Sequence, residues 1–481
     1  MGSPVDALFG SFWPDPRPGQ QHRGLALAAL LPAVVAATTA PGAGVGVAAT
    51  VVAGLVLALV VVAHRPRARR GDLSTAALAG LMVLTGVLTS SSWAVLLCWA
   101  AAIALVPLTS TRARSTGAAL AAVAALAIAW VRGLPWLARS LGAGRQDPAT
   151  LGRTVRTAVV AAGLVAVFTG LLASADDVFA SWVLGLVPDL DRLPLRLLVL
   201  GAVLLLTWSL LTVVVLPPDV GVLRARPRPP LRRSEWGVPV GSVVVVLAVF
   251  LAAQASALFG GEAYLRAHGT SHAEHVHQGF GQLVAATCLV LVVVATTVRR
   301  AARATPADRR WLRGLLCTLC LLALAVAASA LHRMALYEAA FGASRLRLLV
   351  ATFEVWVAVV LLLAATVCVR LRGSWVPRIA VWLGCVMLLA LTAAGPDRVV
   401  AERNVARHAA TGTLDARYLG TLTAEAVPAL DRLPEPLRSC TLRRLDLAPD
   451  PAGWDLPTGR ALELLRHRPV DRGLDCRLSG R

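Results

Sequence analysis

The sequence predicts an all-α, polytopic transmembrane helix bundle of eleven or twelve spans, followed by a small helical C-terminal module. Hydrophobic residues make up 57% of the 481 positions, charged residues make up 15%, and the mean hydropathy is +0.68. Apolar runs of about 20 residues, the length that crosses a bilayer as a helix, recur along most of the chain. This composition excludes a water-soluble globular fold.

Twelve apolar runs, separated by breaks rich in Gly, Pro and Arg, are the candidate helices. They cover residues 25–40, 44–63, 74–90, 92–108, 116–138, 154–174, 195–216, 238–258, 277–297, 313–331, 347–369 and 375–394. Residues 1–24 lack the compact basic start of a secretory signal and are expected to be an uncleaved cytoplasmic segment. The transmembrane bundle is therefore predicted over residues 25–394, and an extracytoplasmic helical tail over 395–481.

The charge pattern predicts contact with lipid. All 47 basic side chains are Arg, and with 27 acidic residues they give a net charge of +20. Residues 394–481 hold 14 Arg against 12 acidic residues, so the excess lies in short loops of the membrane part. Such clustering is typical of cytoplasmic loops that face anionic lipid and not of a nucleic-acid-binding face. Membrane lipids are the expected partners, an unidentified protein partner is a further candidate, and nucleic acid is not expected.

The Arg clusters also predict the orientation, because Arg-rich loops stay in the cytoplasm. The Arg-rich loops cover residues 64–73, 224–233 and 299–310, and the acidic loops cover 176–191 and 262–274. Arg-containing segments flank both sides of the run 116–138, which itself contains Arg132 and Pro135. We interpret this run as re-entrant or interfacial, which gives eleven spans with the N-terminus inside and the tail outside. The alternative is twelve spans with one loop that departs from the charge rule.

The tail is predicted to form several short helices and contains two cysteines. Helical periodicity from Asp397 ends at Gly412, and Asp415 is a candidate cap for the next helix. The amphipathic run from residue 418 to residue 428 is expected to be a short helix closed by its final proline. Cys440 and Cys476 are candidate disulfide partners in an oxidising exterior. They pair only if their Cα atoms approach within about 7 Å, which a sequence does not show.

Separated blocks of sequence between about residues 150 and 465 carry a family resemblance. The blocks are Leu172–Ala180, Phe259–Tyr264, Ala273–Phe280, Ser329–Glu338, Phe341–Leu348, Asn404–Arg407 and Ala426–Leu430. Together they resemble an uncharacterised family of bacterial multi-pass membrane proteins, domain of unknown function 4173, which is close to domain of unknown function 4153. The resemblance implies a multi-pass fold in a bacterial plasma membrane. It implies no activity, substrate or catalytic residue.

Polar side chains near the predicted outer ends of the helices are candidate functional residues. They are Asp176, Asp177, Glu262, Tyr264, Glu274, His332, Arg333, Tyr337, Glu338, Arg345 and Arg347. Adjacent aspartates suit acid–base chemistry or a cation, but helix neighbours point about 100° apart, which favours capping and boundary charge instead. The block around residues 337–347 suits an anionic headgroup, with a structural salt-bridge cluster as the favoured alternative.

Three histidines in the predicted outer loop are weak candidates for a metal site. His268, His272 and His275 would share one helical face, and Glu262 and Glu274 lie nearby in the sequence. The intervening Gly-Thr-Ser argues against a continuous helix, so a solvated polar entry to the next span is favoured. No cofactor is expected.

Glu354 is the sharpest signal inside a predicted span, about two turns into the run 347–369. An ionisable side chain there is costly and usually faces the bundle interior, a partner or a water path. Glu354 is therefore a candidate for proton or substrate coupling. A structural pair with His332 or Arg333 is the alternative, and it is slightly favoured.

The missing motifs narrow the possible functions. The sequence has no phosphate-binding loop, no His-Glu-x-x-His and no Gly-x-Ser-x-Gly, which argues against an ATP-driven pump or kinase on this chain. The leading hypothesis is a non-enzymatic plasma-membrane protein in transport, envelope maintenance or signalling. One alternative is a membrane enzyme that acts on lipid-linked or envelope substrates through its outer loops. The other is a partner-binding scaffold.

Overall fold

The computed structural model describes most of the chain as helices. The described residues are 12–13, 23–39, 44–65, 69–113, 116–140, 192–221, 229–259, 280–370, 375–447, 451–474, 476 and separate positions between 156 and 176. Within these ranges the extended pairing is one isolated parallel bridge between Leu231 and Ala301. The predicted all-α class is confirmed for this part of the chain.

In the described part of the chain, thirteen helices precede the C-terminal region. They are α1 Arg23–Ala28, α2 Leu30–Thr39, α3 Val47–His64, α4 Arg70–Leu88, α5 Ser92–Thr111, α6 Thr116–Ala124, α7 Leu126–Ser140, α8 Leu193–Val215, α9 Arg233–Phe259, α10 Phe280–Arg300, α11 Pro306–Phe341, α12 Arg345–Arg370 and α13 Val376–Ala393. Among the described residues, nine helices are long and apolar enough to cross a membrane, namely α3 to α5 and α8 to α13. This result supports a multi-pass membrane protein.

Several predicted runs differ from the helices in the structure. The run 25–40 forms two short helices that meet at Ala29, and the run 116–138 breaks at Ala125. Most of the run 154–174 lies outside the described residues. The run 313–331 is part of the 36-residue helix α11. Its start at Pro306 is set by a capping box in which the Thr305 hydroxyl accepts from the Asp308 N–H at 3.1 Å.

The long helices pack around two main apolar cores. Helices α9 to α12 surround Leu316, Leu319 and Leu361, which are all 0% exposed. Helices α3, α5 and α8 meet around Val60, Val106 and other aliphatic side chains. A smaller cluster in which α4, α5 and α13 pack together links the two cores. Side chains on the outer faces of the same helices are widely exposed, as expected for helices whose surroundings are lipid.

The bundle has two chemically different ends. We call one the Arg-rich end, where α3, α5, α10 and α12 finish and α4, α9, α11 and α13 begin. Its arginines include Arg65, Arg112, Arg299, Arg310 and Arg370. We call the other the docked end, because the C-terminal helices lie against it.

The segment α6–α7 stays near the Arg-rich end. Thr116 follows Arg112 closely in the sequence, at the point where α5 finishes. Arg132 in α7 is 0% exposed, and its Nη2 donates to the Trp13 carbonyl oxygen at 3.3 Å. Trp13 Nε1 in turn donates to the carbonyl oxygen of Leu216, just past the last residue of α8, at 2.6 Å. Thr116 and Arg132 therefore lie near the same end of the bundle.

The C-terminal region continues from α13 through a turn at Gly395, where φ is +70°. Its helices are α14 Pro396–Thr411, α15 Ala416–Leu419, α16 Val427–Leu430, α17 Leu437–Leu442 and α18 Leu456–His467. As predicted, Gly412 ends the first helix, with φ of +72°, and the Asp415 carboxylate caps the next by accepting from the Tyr418 N–H at 2.9 Å. The predicted single helix over 418–428 is wrong, because the chain breaks after Leu419 and Pro428 occupies the first turn of α16.

The C-terminal helices share an apolar core and cap the docked end. The core includes Val400, Leu419, Leu430, Leu442 and Ala461, and it continues onto the adjoining ends of α12 and α13. At another point of this end, the backbone N–H of Val47, the first residue of α3, donates to the Trp454 carbonyl oxygen at 2.9 Å. The N–H of Ala48 donates to the Ala452 carbonyl oxygen at 3.1 Å. A C-terminal loop therefore satisfies free N–H groups at the start of a membrane helix.

Gly46 is the position at which this contact depends on a missing side chain. A Cβ atom at Gly46 would lie 2.3 Å from the carbonyl carbon of Gly453, a backbone atom that has little freedom to move. Gly46→Ala is therefore expected to lower the thermal unfolding temperature in detergent and to speed proteolysis of the loop that includes Trp454. Gly54→Ala is the matched control on α3, because nothing lies within 4 Å of its Cβ position. It is expected to be neutral or to stabilise by up to about 1 kcal/mol. Equal effects of the two variants would contradict the packing role of Gly46.

Candidate functional site

A polar junction joins the C-terminal helices to the α4–α5 hairpin, with Glu425 at its centre. The carboxylate is 6% exposed. Its Oε1 accepts from the Thr89 hydroxyl and from the Ser90 N–H, the latter at 3.1 Å. Its Oε2 accepts from the Ser91 hydroxyl at 3.0 Å and from the Asp397 N–H at 3.2 Å. Four donors from two distant parts of the sequence thus saturate one buried carboxylate.

The second half of the junction is an ion pair between Asp397 in α14 and Arg345 at the start of α12. Asp397 is 0% exposed, and its Oδ1 accepts from Arg345 Nε at 2.7 Å. Arg345 Nη2 donates to Asp397 Oδ2, which also accepts from the Thr423 N–H at 2.9 Å. The Arg345 N–H donates to the Tyr418 hydroxyl at 2.8 Å. This is a two-point guanidinium–carboxylate contact, the geometry that best repays burial of both charges.

The remaining predicted polar residues of the α11–α12 hairpin mostly hold the same interface. The Arg347 guanidinium lies over the Tyr337 ring, 4.3 Å from its centroid, and also donates to the Gly342 carbonyl oxygen. Glu338 pairs with Arg403 of α14 at 2.8 Å. These contacts suit a structural salt-bridge cluster better than a site for an anionic headgroup.

The chemistry of the junction is that of docking. Both oxygens of Asp397 and of Glu425 already accept hydrogen bonds from protein donors. A catalytic or metal-binding carboxylate keeps an oxygen available for its ligand, and these two do not. The interactions therefore fix the C-terminal helices on the bundle and leave little acceptor capacity for a ligand.

Burial raises the pKa of the Glu425 carboxyl above its ordinary value, because desolvation disfavours the charged form. The Thr89 and Ser91 hydroxyls oppose this shift, and the nearby Asp397 carboxylate adds to it. A raised folded-state pKa means that the stability associated with this group is fully present below the ordinary pKa of Glu. It is lost as the pH rises through the raised value.

Replacing Glu425 by Gln is expected to reverse that dependence. Gln loses one acceptor but buries no charge, so the stability gap between wild type and Glu425→Gln should close as the pH rises between about 4 and about 8. Thermal unfolding in detergent across this range measures the gap. Glu425→Ala should lose about 1–3 kcal/mol, because several buried donors then lack an acceptor. Glu402→Gln, on the exposed face of α14, is the control, and a Glu425→Gln gap as flat with pH as that of Glu402→Gln would refute the prediction.

Glu354 presents the opposite chemistry inside the bundle. It is 0% exposed on α12, nine residues after Arg345, and hence about 14 Å along the helix from the docked end. Its Oε1 lies 3.5 Å from the Thr287 hydroxyl of α10, a weak contact, and its Oε2 has no hydrogen-bond partner among the described residues. In this part of the chain neither His332 nor Arg333 forms an ion pair with Glu354. The carboxyl is therefore buried without a counterion in the described structure.

A second polar pair lies in the same four-helix unit. The Ser329 hydroxyl of α11 donates to Oε1 of Gln254 in α9, and Gln254 is 7% exposed. Gln254 Nε2 has no hydrogen-bond partner among the described residues. Each of the four helices α9 to α12 thus contributes one polar side chain to the half of this unit nearer the docked end. These are the interior polar groups around which a transport pathway would be expected.

The other predicted residues are not brought to either site. The N–H of Asp176 donates to the Leu172 carbonyl oxygen at 3.1 Å, as at the end of a helix. Seven candidates lie outside the described residues, namely Asp177, Glu262, Tyr264, His268, His272, Glu274 and His275. Elsewhere, the described residues contain no group of three His, Cys, Asp or Glu side chains that could hold a metal ion.

The end of the chain is tied to α17 by a disulfide and a buried guanidinium. Cys440 and Cys476 form a disulfide with a Cα–Cα distance of 5.4 Å. Arg438 is 2% exposed, pairs with Asp431 at 2.8 Å and donates to the Arg468 carbonyl oxygen at 2.7 Å. Both links connect α17 to residues that follow α18.

Sequence reasoning missed the acceptors and donors at the centre of the junction. Glu425 and Thr89 are 336 positions apart, and each lies in a stretch typical of ordinary loops and helix ends. The only signals were the hydroxyl run Thr89–Ser91 between two apolar runs and a lone carboxylate within an apolar stretch. Neither signal identifies its partner.

Comparison with known proteins gives a family and no activity. Residues 73–433 match the family described as Domain of unknown function (DUF4153). This region begins within α4 and ends after α16, so it starts earlier than the blocks near residue 150 and includes both the junction and Glu354. No curated protein and no solved structure matches. Because the match covers well over half of the chain and agrees with the resemblance seen in its sequence, the chain belongs to the DUF4153 family.

Proposed function

We propose that this chain is a non-enzymatic transport protein of a bacterial plasma membrane, in which Glu354 takes up and releases a proton inside the bundle. The observation that supports it is a fully buried carboxyl whose Oε2 has no hydrogen-bond partner among the described residues. An ionised carboxylate without a counterion is costly in an apolar interior, so such groups carry a proton or meet a cation or water. A structural carboxylate would be saturated, as Glu425 is at the junction.

The surroundings of Glu354 favour a proton over a metal cation. Hard cations take six or more oxygen ligands, and the described neighbourhood offers the carboxyl and the Thr287 hydroxyl. A proton needs one oxygen. Gln254 and Ser329 provide further hydrogen-bonding groups in the same half of the four-helix unit, where they are available to water or to a polar solute.

Proton flux in reconstituted vesicles tests this proposal. With a pH-sensitive dye inside and a membrane potential imposed by potassium and valinomycin, wild type is expected to dissipate the gradient faster than protein-free vesicles. Glu354→Gln keeps the size and hydrogen-bonding capacity of the side chain but does not titrate, so flux should fall to the protein-free rate. Glu338→Gln, at the docked end, is the control and should retain the flux. Wild-type flux at the protein-free rate, or unchanged flux in Glu354→Gln, would refute proton transport.

A partner-binding scaffold is the second candidate function. It is supported by the docked C-terminal helices, whose carboxylates are saturated and which are further tied together by Arg438 and a disulfide. A rigid domain of this kind suits the presentation of a fixed surface. Flux at the protein-free rate from a folded, monodisperse protein would favour this candidate. The third hypothesis, an enzyme that uses its outer loops, rests on Glu262, Glu274 and the histidines, which lie outside the described residues.

The proposed topology has eleven spans, with the N-terminus and the Arg-rich end in the cytoplasm and the C-terminal helices outside. Its first support is the charge rule, because arginines gather at one end of the bundle and the C-terminal helices dock on the other. The second is parity. Helix α5 finishes at the Arg-rich end, and α8 also finishes there, because Val214 near its end packs with Val60 and Val106 near the ends of α3 and α5. The start of α8 therefore lies at the docked end.

This geometry requires an odd number of crossings between α5 and α8, where the sequence has two apolar runs. Thr116 and Arg132 lie near the same end, which supports the interpretation that α6–α7 is re-entrant or interfacial. The run 154–174 then provides the crossing. Twelve spans would place α8 in the opposite direction.

Thiol labelling in intact cells tests the orientation. Thr413→Cys in the C-terminal region and Ala304→Cys at the Arg-rich end both place a thiol at an exposed position. A membrane-impermeant maleimide is expected to label only the cysteine at 413 in intact cells and both after permeabilisation. Labelling of the cysteine at 304 alone in intact cells would show that the proposed orientation is inverted. Wild type is the control for the native cysteines, of which Cys98, Cys320, Cys368 and Cys385 are buried.

A further inference from the structure

We propose that the membrane-facing side of α11, at the Arg-rich end, is a binding site for one anionic phospholipid. A groove of about 540 Å³ runs along this face and is lined by Ala307, Arg310, Trp311, Gly314, Leu315 and Thr318. These positions recur every three or four residues, so they share one face of the helix. The opposite face, with Leu312, Leu316 and Leu319, is 0% exposed and packs into the four-helix core. The groove therefore faces away from the core, toward the surrounding lipid.

The groove changes from polar to apolar along its length, as a phospholipid does. Arg310 and Trp311 lie in the first turns of α11, close to the Arg-rich end. Trp311 is 61% exposed, and indole rings at the ends of membrane helices sit at the level of the lipid headgroups. Leu315 and Thr318 follow about 6–11 Å further along the helix, in the direction of the hydrocarbon core. A headgroup beside Arg310 would thus leave an acyl chain beside Leu315.

Gly314 lies in the middle of the groove. Nothing lies within 4 Å of the position that its Cβ would take, so the space above the helix backbone is open there. The larger side chains of Trp311 and Leu315 stand on either side. A linear lipid chain can therefore approach the backbone of α11 at this position.

Charge complementarity identifies the headgroup as anionic. The described segments 229–235 and 299–313, which meet at this end, contain eight Arg, namely Arg232, Arg233, Arg299, Arg300, Arg303, Arg309, Arg310 and Arg313. They contain two acidic residues, Glu235 and Asp308, and Asp308 is already paired with Arg233 at 2.6 Å. Within the described residues, Arg309, Arg310 and Arg313 form no ion pair. A phosphodiester beside Arg310 would supply the missing counterion.

Native mass spectrometry of the full-length protein, purified from mixed vesicles of phosphatidylglycerol and phosphatidylcholine, tests the site. Wild type is expected to retain phosphatidylglycerol preferentially. Arg310→Gln should lower the ratio of bound phosphatidylglycerol to phosphatidylcholine about fivefold, the change expected from one interfacial guanidinium. Arg309→Gln is the matched control, because it removes the same charge from an exposed neighbour that does not line the groove. Its ratio should stay near that of wild type.

Gly314→Leu provides a second, independent arm. It fills the groove without changing charge, so it should reduce retention of both lipids while leaving the elution of the protein unchanged. Equal losses of phosphatidylglycerol in Arg309→Gln and Arg310→Gln would show general surface attraction and overturn the site. Undiminished retention in Gly314→Leu would overturn it as well. If one variant fails to elute like wild type, the other decides the question.

Discussion

The arrangement of this protein depends on the saturation of two buried carboxylates at the docked end of the bundle. Asp397 and Glu425 connect the C-terminal helices to the start of α12 and to the α4–α5 hairpin. Their burial is tolerable because Arg345, the hydroxyls and the backbone N–H groups together occupy both oxygens of each. Removal of one partner leaves another stranded, so the hairpin ends, α14 and the turn at Gly395 hold their positions together.

The contrast between Glu425 and Glu354 separates a structural carboxylate from a functional candidate. Both are nearly or fully buried, so burial alone does not distinguish them. At Glu425 every oxygen accepts from the protein, whereas at Glu354 one oxygen has a weak hydroxyl contact and the other has none among the described residues. Unfilled hydrogen-bonding capacity in an apolar interior is stable only when a proton, water or ligand completes it. This difference assigns docking to one end and proposed transport to the interior.

The two ends of the bundle have different relations to their surroundings. At the docked end, protein satisfies protein, down to the backbone N–H groups of α3 that donate to the loop at 452–454. At the Arg-rich end, basic side chains outnumber acidic ones and several of them form no ion pair in the described residues. Lipid phosphates are the natural counterions for the second arrangement. An asymmetric charge distribution therefore serves both orientation and lipid contact.

The sequence by itself determined the class, the approximate positions of most long helices and the end at which arginines gather, because hydropathy and charge act locally along the chain. It also singled out Glu354 and the turn at Gly412. Only the tertiary structure decided that Arg345 meets Asp397, that Glu425 meets Thr89 and that Arg132 returns to the Arg-rich end. Those pairs join residues up to 336 positions apart, and a buried polar side chain reveals its role only through the partners that folding brings to it.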